Sequence, residues 1–448
     1  MLEKVLISFF QWCYQSPRLA EWVESCMKRL EGIKIIPDSK GFLKNLVRLL
    51  FFNRLSSVFA VFIGVVSARI LGPAEFGRIG LVGNLTSFLF IPILMGANNS
   101  MYKFLPESTK AEGQKLMYNA LLGNLVTTIF FGGLFFWLTG IITKSFHLSS
   151  EVWQMGLLFT VMITSSNLME SFLRGQKQYQ TIAWLKFFTT GIFFLMIFLL
   201  FFGSTTIKAN FITFYLCQII SLICFNILAF FKARVSFRRV NFSWKTLKQI
   251  YSLGMILMVN MFFTAILVSS DLFVVNYFYP GREVGIYNVY QGFGKNLFGV
   301  LFFEVFAVVF LPTIANLDKQ LLYQKINKYL YWLLPGVAIF TGMMILLMVL
   351  LFGKEYPLNL TYLLMISLSI GFYFIFQIYN SIFSMEGNHG ARLCLIPLGA
   401  TIPLALLLQV CLTKFWGIAG TMLAVLLTNL ILVCFFKVML YYRYKDCH

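Results

Sequence analysis

The chain has 448 residues, 59% of them hydrophobic and only 12% charged, with a mean hydropathy of +0.80. That composition excludes a soluble enzyme, a disordered protein and a secreted disulfide scaffold. The net charge of +19 is spread between apolar runs rather than gathered on one face, which argues against nucleic-acid binding.

Residues 1–43 differ from the rest. Charged side chains, among them Glu3, Lys4, Arg18, Glu21 and Lys28, alternate there with Phe9, Phe10, Trp12 and Trp22. The apolar run from Val5 to Trp12 is too short to span a bilayer, and no small-residue cleavage site follows it. Two readings fit this segment: an amphipathic stretch on the membrane surface, or a plain cytosolic extension.

Twelve apolar spans come next, near 46–70, 79–101, 116–142, 152–173, 179–203, 207–231, 249–278, 284–311, 329–352, 358–384, 391–413 and 416–440. They predict an all-α polytopic membrane protein. With both termini in the cytoplasm, 27 of the 36 Lys and Arg fall on the inner side and 7 on the outer. That bias is the expected orientation signal. The 8 cysteines form no C-x-x-C pair and the 3 histidines are far apart, so no metal and no cofactor is expected.

The basic segment 232–248 divides the chain into six spans (44–231) and six spans (249–442), with a short tail at 443–448. Local motifs repeat across it. Glu75-Phe76-Gly77 recurs as Glu283-Val284-Gly285, Phe104-Leu105-Pro106 as Phe310-Leu311-Pro312, and Gly175 as Gly387, at offsets between 206 and 212 residues. Order and spacing kept across whole bundles point to a duplication. An even number of spans per half makes the repeat parallel, so the expected architecture is two six-helix bundles flanking a central cleft.

Several ionisable and polar residues fall inside the spans. A charge at bilayer depth costs about 2.5–3.5 kcal/mol on insertion scales and needs a partner or a wet cavity. Arg54 lies roughly 12 Å into the first span and Lys295 roughly 18 Å into the eighth. Asn288, Gln291 and Lys295 share one helix face, as do Asn260, Thr264 and Asp271 in span 7. Gln377, Asn380, Ser381 and Ser384 form a third stripe. These stripes predict a wet, cationic cleft. Arg48, Arg54 and Lys295 would contact an anionic cargo in succession, beside Gln291 and Asn288. The competing reading is that Arg54 snorkels and Lys295 pairs with Asp271 as structural glue. Glu170 and Arg174, four residues apart, read as a helix-end ion pair or as a gating contact. Tyr287 and Tyr290 are candidates for sugar stacking. Glu304 lies opposite Lys295 and receives no role.

The stretch Arg69-Ile70-Leu71-Gly72-Pro73-Ala74-Glu75-Phe76-Gly77-Arg78 resembles the end of the first span in polysaccharide and O-antigen flippases, oligosaccharide-lipid transporters of the superfamily that also holds the multidrug and toxin extruders. Asp271 with Gly285-Ile286-Tyr287-Asn288, Phe352-Gly353-Lys354-Glu355-Tyr356 and Trp416-Gly417-Ile418-Ala419-Gly420 match that family in order, so the resemblance covers nearly everything after residue 43. It implies a fold like that of the multidrug extruders. It also implies a cargo of undecaprenyl-diphosphate oligosaccharide (an O-antigen, capsule or exopolysaccharide unit), moved across the cytoplasmic, or inner, membrane. Asp271, Asn260, Glu170 and Arg174 would then serve ion coupling, with H+ or Na+, or gating. Gly72, Pro73, Gly77 and Gly285 would serve as hinges, although plain helix breaking explains them equally. Expected partners are the lipid-linked glycan, membrane lipids and other polysaccharide-assembly membrane proteins; no nucleic acid is expected.

Two other functions stay open. One is a membrane glycan polymerase or ligase, against which stand the absence of any D-x-D pair and of a long outer loop. The other is an exporter of small molecules or cations, which favours acidic cavity residues over cations at mid-depth.

Overall fold

A computed structural model describes residues 39–203, 209–235, 242–299, 319–384 and 388–445, with side chains left undescribed at 39–55, 319–331 and a few further helical positions. Two compact units are distinguished, Met1–Phe52 and Asn53–His448, and the second holds the helical bundle. Among the described residues every regular element is a helix: α1 Ser39–Leu94, α2 Ala97–Phe104, α3 Lys110–Trp137, α4 Thr139–Ser145, α5 Ser150–Gly175, α6 Tyr179–Gly203, α7 Phe211–Ala233, α8 Trp244–Phe278, α9 Arg282–Gly299, α10 Lys319–Phe352, α11 Leu360–Ser384 and α12 Asn388–Lys445. Nine stretches in them are long and apolar enough to cross a membrane.

Glycine decides where the two longest helices break. Gly72 has φ 74° and ψ 172°, a conformation in which a Cβ would be strained, and Pro73 next to it has no N–H to give. α1 is therefore two helices, 39–71 and 73–94, near the expected junction of spans 1 and 2. Gly417, with φ 60° and ψ −140°, breaks α12 at the junction of spans 11 and 12.

Three boundaries differ from the sequence reading. Span 2 does not continue to 101: it stops at Leu94, and Gly96 (φ 70°) turns the chain into α2. The reason is a close approach. A Cβ built on Gly254 would strike the Met95 carbonyl, so α8 packs directly on this turn. Span 3 begins at Lys110 because Thr109 and Glu112 form a reciprocal capping box, and it gives way to α4 at Leu138. The basic linker is shorter than 232–248, since α7 runs to Ala233 and Ser243 caps α8. Span 8 is described only as far as Gly299; Glu304 and Phe310-Leu311-Pro312 lie outside the described residues, as does Gly387.

α7 packs against α5 and α6, α11 against α10 and α12, and α8 against α12. Two buried clusters result. The larger joins Ile63, Trp153, Phe211 and Tyr215 to Leu272, Tyr287, Phe376 and Phe436. The smaller gathers Leu94, Met101, Leu116, Phe172, Phe225 and Ile250. Rows of large apolar side chains stay exposed, such as Val126, Ile129, Phe130 and Trp137 on α3 and Phe188, Leu195 and Leu199 on α6. In water these would be aggregation-prone; in a bilayer they face acyl chains.

Candidate functional site

The α8–α9 hairpin carries the site. Asp271 sits seven residues before the end of α8, and its side chain has no exposed surface. Tyr287, Gln291 and Lys295 recur every four residues on α9 and so share one face of it. All three converge on that carboxylate. Tyr287 Oη donates to Oδ2 at 2.7 Å, Gln291 Nε2 donates to Oδ2 at 3.1 Å, and Lys295 Nζ lies 2.9 Å from both oxygens. The Leu272 amide reaches Oδ1 at 2.9 Å. Helical side chains lean toward the N-terminus, which brings Lys295 back up α9 and Asp271 deeper along α8 until they meet. Lys295 keeps 23% of its side chain exposed. The result is a buried anion, saturated with donors, held by a lysine whose side chain stays partly exposed.

The other predicted residues sit in more varied surroundings. Asn288 on α9 meets α1: its amide donates to the Phe76 carbonyl at 3.4 Å, and its side chain fills the space beside Gly80 and Gly292. Asn260 receives the Thr264 hydroxyl within α8, away from Asp271's partners. Glu170 holds Arg174, as expected, and also Lys186 at 2.9 Å. Gln377 donates to Tyr373 Oη at 2.8 Å and Ser381 bonds back to Gln377. Arg48 and Arg54 fall on α1, but their side chains lie outside the described residues, as does that of Ser384. Gly72 and Pro73 break α1, whereas Gly77 and Gly285 lie inside helices and serve close packing. A Cβ on Gly77 would sit 2.8 Å from Gly285 N, and one on Gly285 would strike the Pro73 carbonyl.

Sugar stacking on Tyr287 or Tyr290 is corrected. Both rings have no exposed surface, and Tyr290 Oη donates to the Pro357 carbonyl at 2.8 Å while Tyr287 is committed to Asp271. Lys186 was not legible as a site residue because it sits in a basic stretch that reads as inner-loop charge. The signal was its spacing inside α6, seven residues past the helix start.

At the end of the bundle that carries Gly72, residues distant in sequence are joined. Tyr356 Oη donates to the Ala68 carbonyl at 3.1 Å, and Arg69 Nε to the Leu351 carbonyl at 2.6 Å. Phe76 packs on Phe352 at 5.8 Å between ring centroids. The loop 353–359 thus clasps the α1 break, and a cleft of about 340 Å³ opens beside Arg69 and Lys354. Asn276 also donates to the Phe146 and His147 carbonyls, and His147 stacks on Tyr277 at 4.4 Å. At the opposite end, Ser100 donates to the Ile250 carbonyl at 2.6 Å beside the Gly96–Gly254 contact. Among the described residues no group of His, Cys, Asp and Glu is arranged to hold a metal.

The family described as polysaccharide biosynthesis protein matches residues 42–318, more than half of the chain. The chain belongs to that family. No curated protein matches it. Among solved structures it is similar to an inward-facing multidrug resistance MATE family transporter of the MOP superfamily, at 12% identity and a TM-score of 0.67 over 87% of this chain and 94% of that one. An outward-facing MATE transporter gives 12% identity and 0.58 over 90% and 96%. The lipid II flippase MurJ in an inward closed conformation gives 15% identity and 0.60 over 88% and 87%. At these identities the likeness concerns the fold. This member of the family is therefore a multi-pass helical membrane protein with the MATE and MurJ architecture, in keeping with the expected class.

Proposed function

We propose that the protein is a flippase that moves a polyprenyl-diphosphate-linked oligosaccharide from the inner to the outer leaflet of the cytoplasmic membrane by alternating access. The observation that carries this is the partly exposed Lys295 side chain, roughly 20 Å along α9 at 1.5 Å per residue, in a chain of the polysaccharide biosynthesis family. A diphosphate crossing hydrocarbon needs its charge compensated, and a cation at mid-depth supplies that. Arg48 and Arg54, nearer the cytoplasmic end of the first span in sequence, would meet the cargo earlier.

Asp271 is the group through which an ion would act. With its carboxylate charged, Lys295 is internally neutralised; binding of H+ or displacement by Na+ releases the ammonium to the cargo. The clasp of 353–359 on the α1 break, together with Gly77 against Gly285, supports a state closed at the Gly72 end. By the distribution of basic residues that end faces outward. The halves are two six-helix bundles (44–231 and 249–442) that rock about this closure, while the prenyl tail stays in lipid.

Likeness to MATE transporters also favours a cation exporter. Against that, the one buried carboxylate among the described residues, Asp271, is already occupied by Lys295. The two readings separate in a deletion strain. A flippase loss leaves lipid-linked oligosaccharide at the inner leaflet, detected by mass spectrometry with sided labelling; loss of an exporter leaves glycan intermediates unchanged, and loss of a polymerase leaves single units on the outer face.

A further inference from the structure

A second cationic station lies in the first half, away from Lys295. Glu170 on α5 accepts Arg174 Nε at 2.9 Å and Lys186 Nζ at 2.9 Å on the same oxygen, Oε1. Two cations therefore share one acid, a net charge of +1. The acid is covered, with 12% of its side chain exposed, while Arg174 and Lys186 keep 46% and 38%. The Arg174 guanidinium also lies over the Tyr102 ring of α2 at 5.7 Å.

Depth and direction give the cluster its meaning. Glu170 is five residues from the end of α5 and Lys186 seven from the start of α6, so both sit roughly 8–10 Å inside the helices. The lipid-facing row of α6 is marked by exposed Trp184, Phe188 and Leu195. At about 100° per residue, Lys186 points roughly 160° away from Phe188, in the middle of the buried row of Ile182, Thr189 and Phe193. Lys186, 38% exposed, therefore stands away from the row of large exposed apolar side chains that marks the lipid side of α6. Arg174 stands about 160° from Leu158, the large exposed apolar side chain of α5. Both cations thus stand away from the large exposed apolar side chains of their own helices, beside Tyr102 of α2. A salt bridge serving only to join α5 to α6 needs one cation per carboxylate.

We infer that Arg174 and Lys186 form a docking site for a phosphate-bearing lipid at the cytoplasmic mouth of the cleft, with Glu170 holding the seat until a phosphate displaces it. This deepens the proposed function and rests on it: the lipid is the prenyl diphosphate of the cargo, met before it reaches Lys295. Arg174 supplies a planar pair of donors, and Lys186 a point charge for the second phosphate. An anionic membrane lipid offers the same phosphate chemistry, and the experiment separates the two.

The full chain is placed in phosphatidylcholine nanodiscs, and binding of labelled farnesyl diphosphate is measured with phosphatidylglycerol absent or present. Arg174→Gln with Lys186→Gln should weaken binding about tenfold or more. Glu170→Gln should strengthen it severalfold, because the internal competitor is removed; this keeps the test sound if the double variant folds poorly. A purely structural ion pair predicts the opposite for Glu170→Gln, and unchanged or weaker binding there overturns the inference. Full displacement by phosphatidylglycerol also overturns it, assigning the site to membrane lipid. If the parent binds farnesyl diphosphate and Lys295→Gln alone weakens it, this site fails while the flippase reading survives. A parent that binds none overturns both.

Discussion

The backbones of Gly77 on α1 and Gly285 on α9 meet, close enough that a Cβ on Gly77 would lie 2.8 Å from Gly285 N. These two positions lie in the motifs Glu75-Phe76-Gly77 and Glu283-Val284-Gly285, 208 residues apart in the sequence. In a bilayer there is little hydrophobic drive between helices, and close backbone approach at small residues supplies much of the packing. Gly285→Ala should push α9 off the Pro73 carbonyl and weaken the closed Gly72 end by about 1–3 kcal/mol. Cysteines placed in the cleft should then label faster with an impermeant thiol reagent added from outside. Unchanged labelling would show that this contact does not hold the closure.

Asp271 and Lys295 yield a prediction that divides structure from function. Lys295→Ala alone leaves a buried carboxylate with only neutral donors, at a cost of about 3–5 kcal/mol, and should lower the yield of folded protein. The pair Asp271→Asn with Lys295→Gln removes both charges and should recover most of that yield. Glycan export should stay lost in the double variant, because the cation for the cargo is gone. Recovery of both folding and export would reduce the pair to a structural role.

Tyr356→Phe removes the hydroxyl that reaches the Ala68 carbonyl and leaves the ring against Phe76. The loss of one buried hydrogen bond is worth about 0.5–1.5 kcal/mol. The expected effect is a modest rise in outside labelling, smaller than that of Gly285→Ala, with export close to that of the parent. An effect larger than that of Gly285→Ala would place the closure in the loop and not in the glycine crossing.

Thr109→Ala breaks the capping box at the start of α3, where Thr109 and Glu112 satisfy each other's backbone amides. It should cost about 0.5–2 kcal/mol of helix stability, seen as a lower melting midpoint in detergent. Labelling at the Gly72 end should not change, which makes this variant the control for nonspecific loosening.

Helix breaks were legible where glycine and proline stand together, as at Gly72-Pro73, because the local chain alone forbids continuation. The break at Gly96 was not, since its cause is Gly254, more than 150 residues away in the sequence. Asp271 and Lys295 stood out because charge inside an apolar span is costly, and their meeting follows from the hairpin. Tyr287 was singled out for the wrong role, sugar stacking, because an aromatic ring in the sequence gives no sign that its hydroxyl serves a carboxylate. Lys186 was hidden for a related reason. Its position near the start of α6 fits a topology signal as well as a site, and only its orientation on α6 separates the two.

The most direct test uses purified protein in vesicles loaded asymmetrically with a fluorescent prenyl-diphosphate oligosaccharide, treated afterwards with a glycan-cleaving enzyme that cannot cross the bilayer. The account predicts that the sugar moves from the protected to the accessible leaflet with the parent protein and fails to move with Lys295→Gln. Transfer that is equally fast with the variant, or no transfer by the parent, would contradict it.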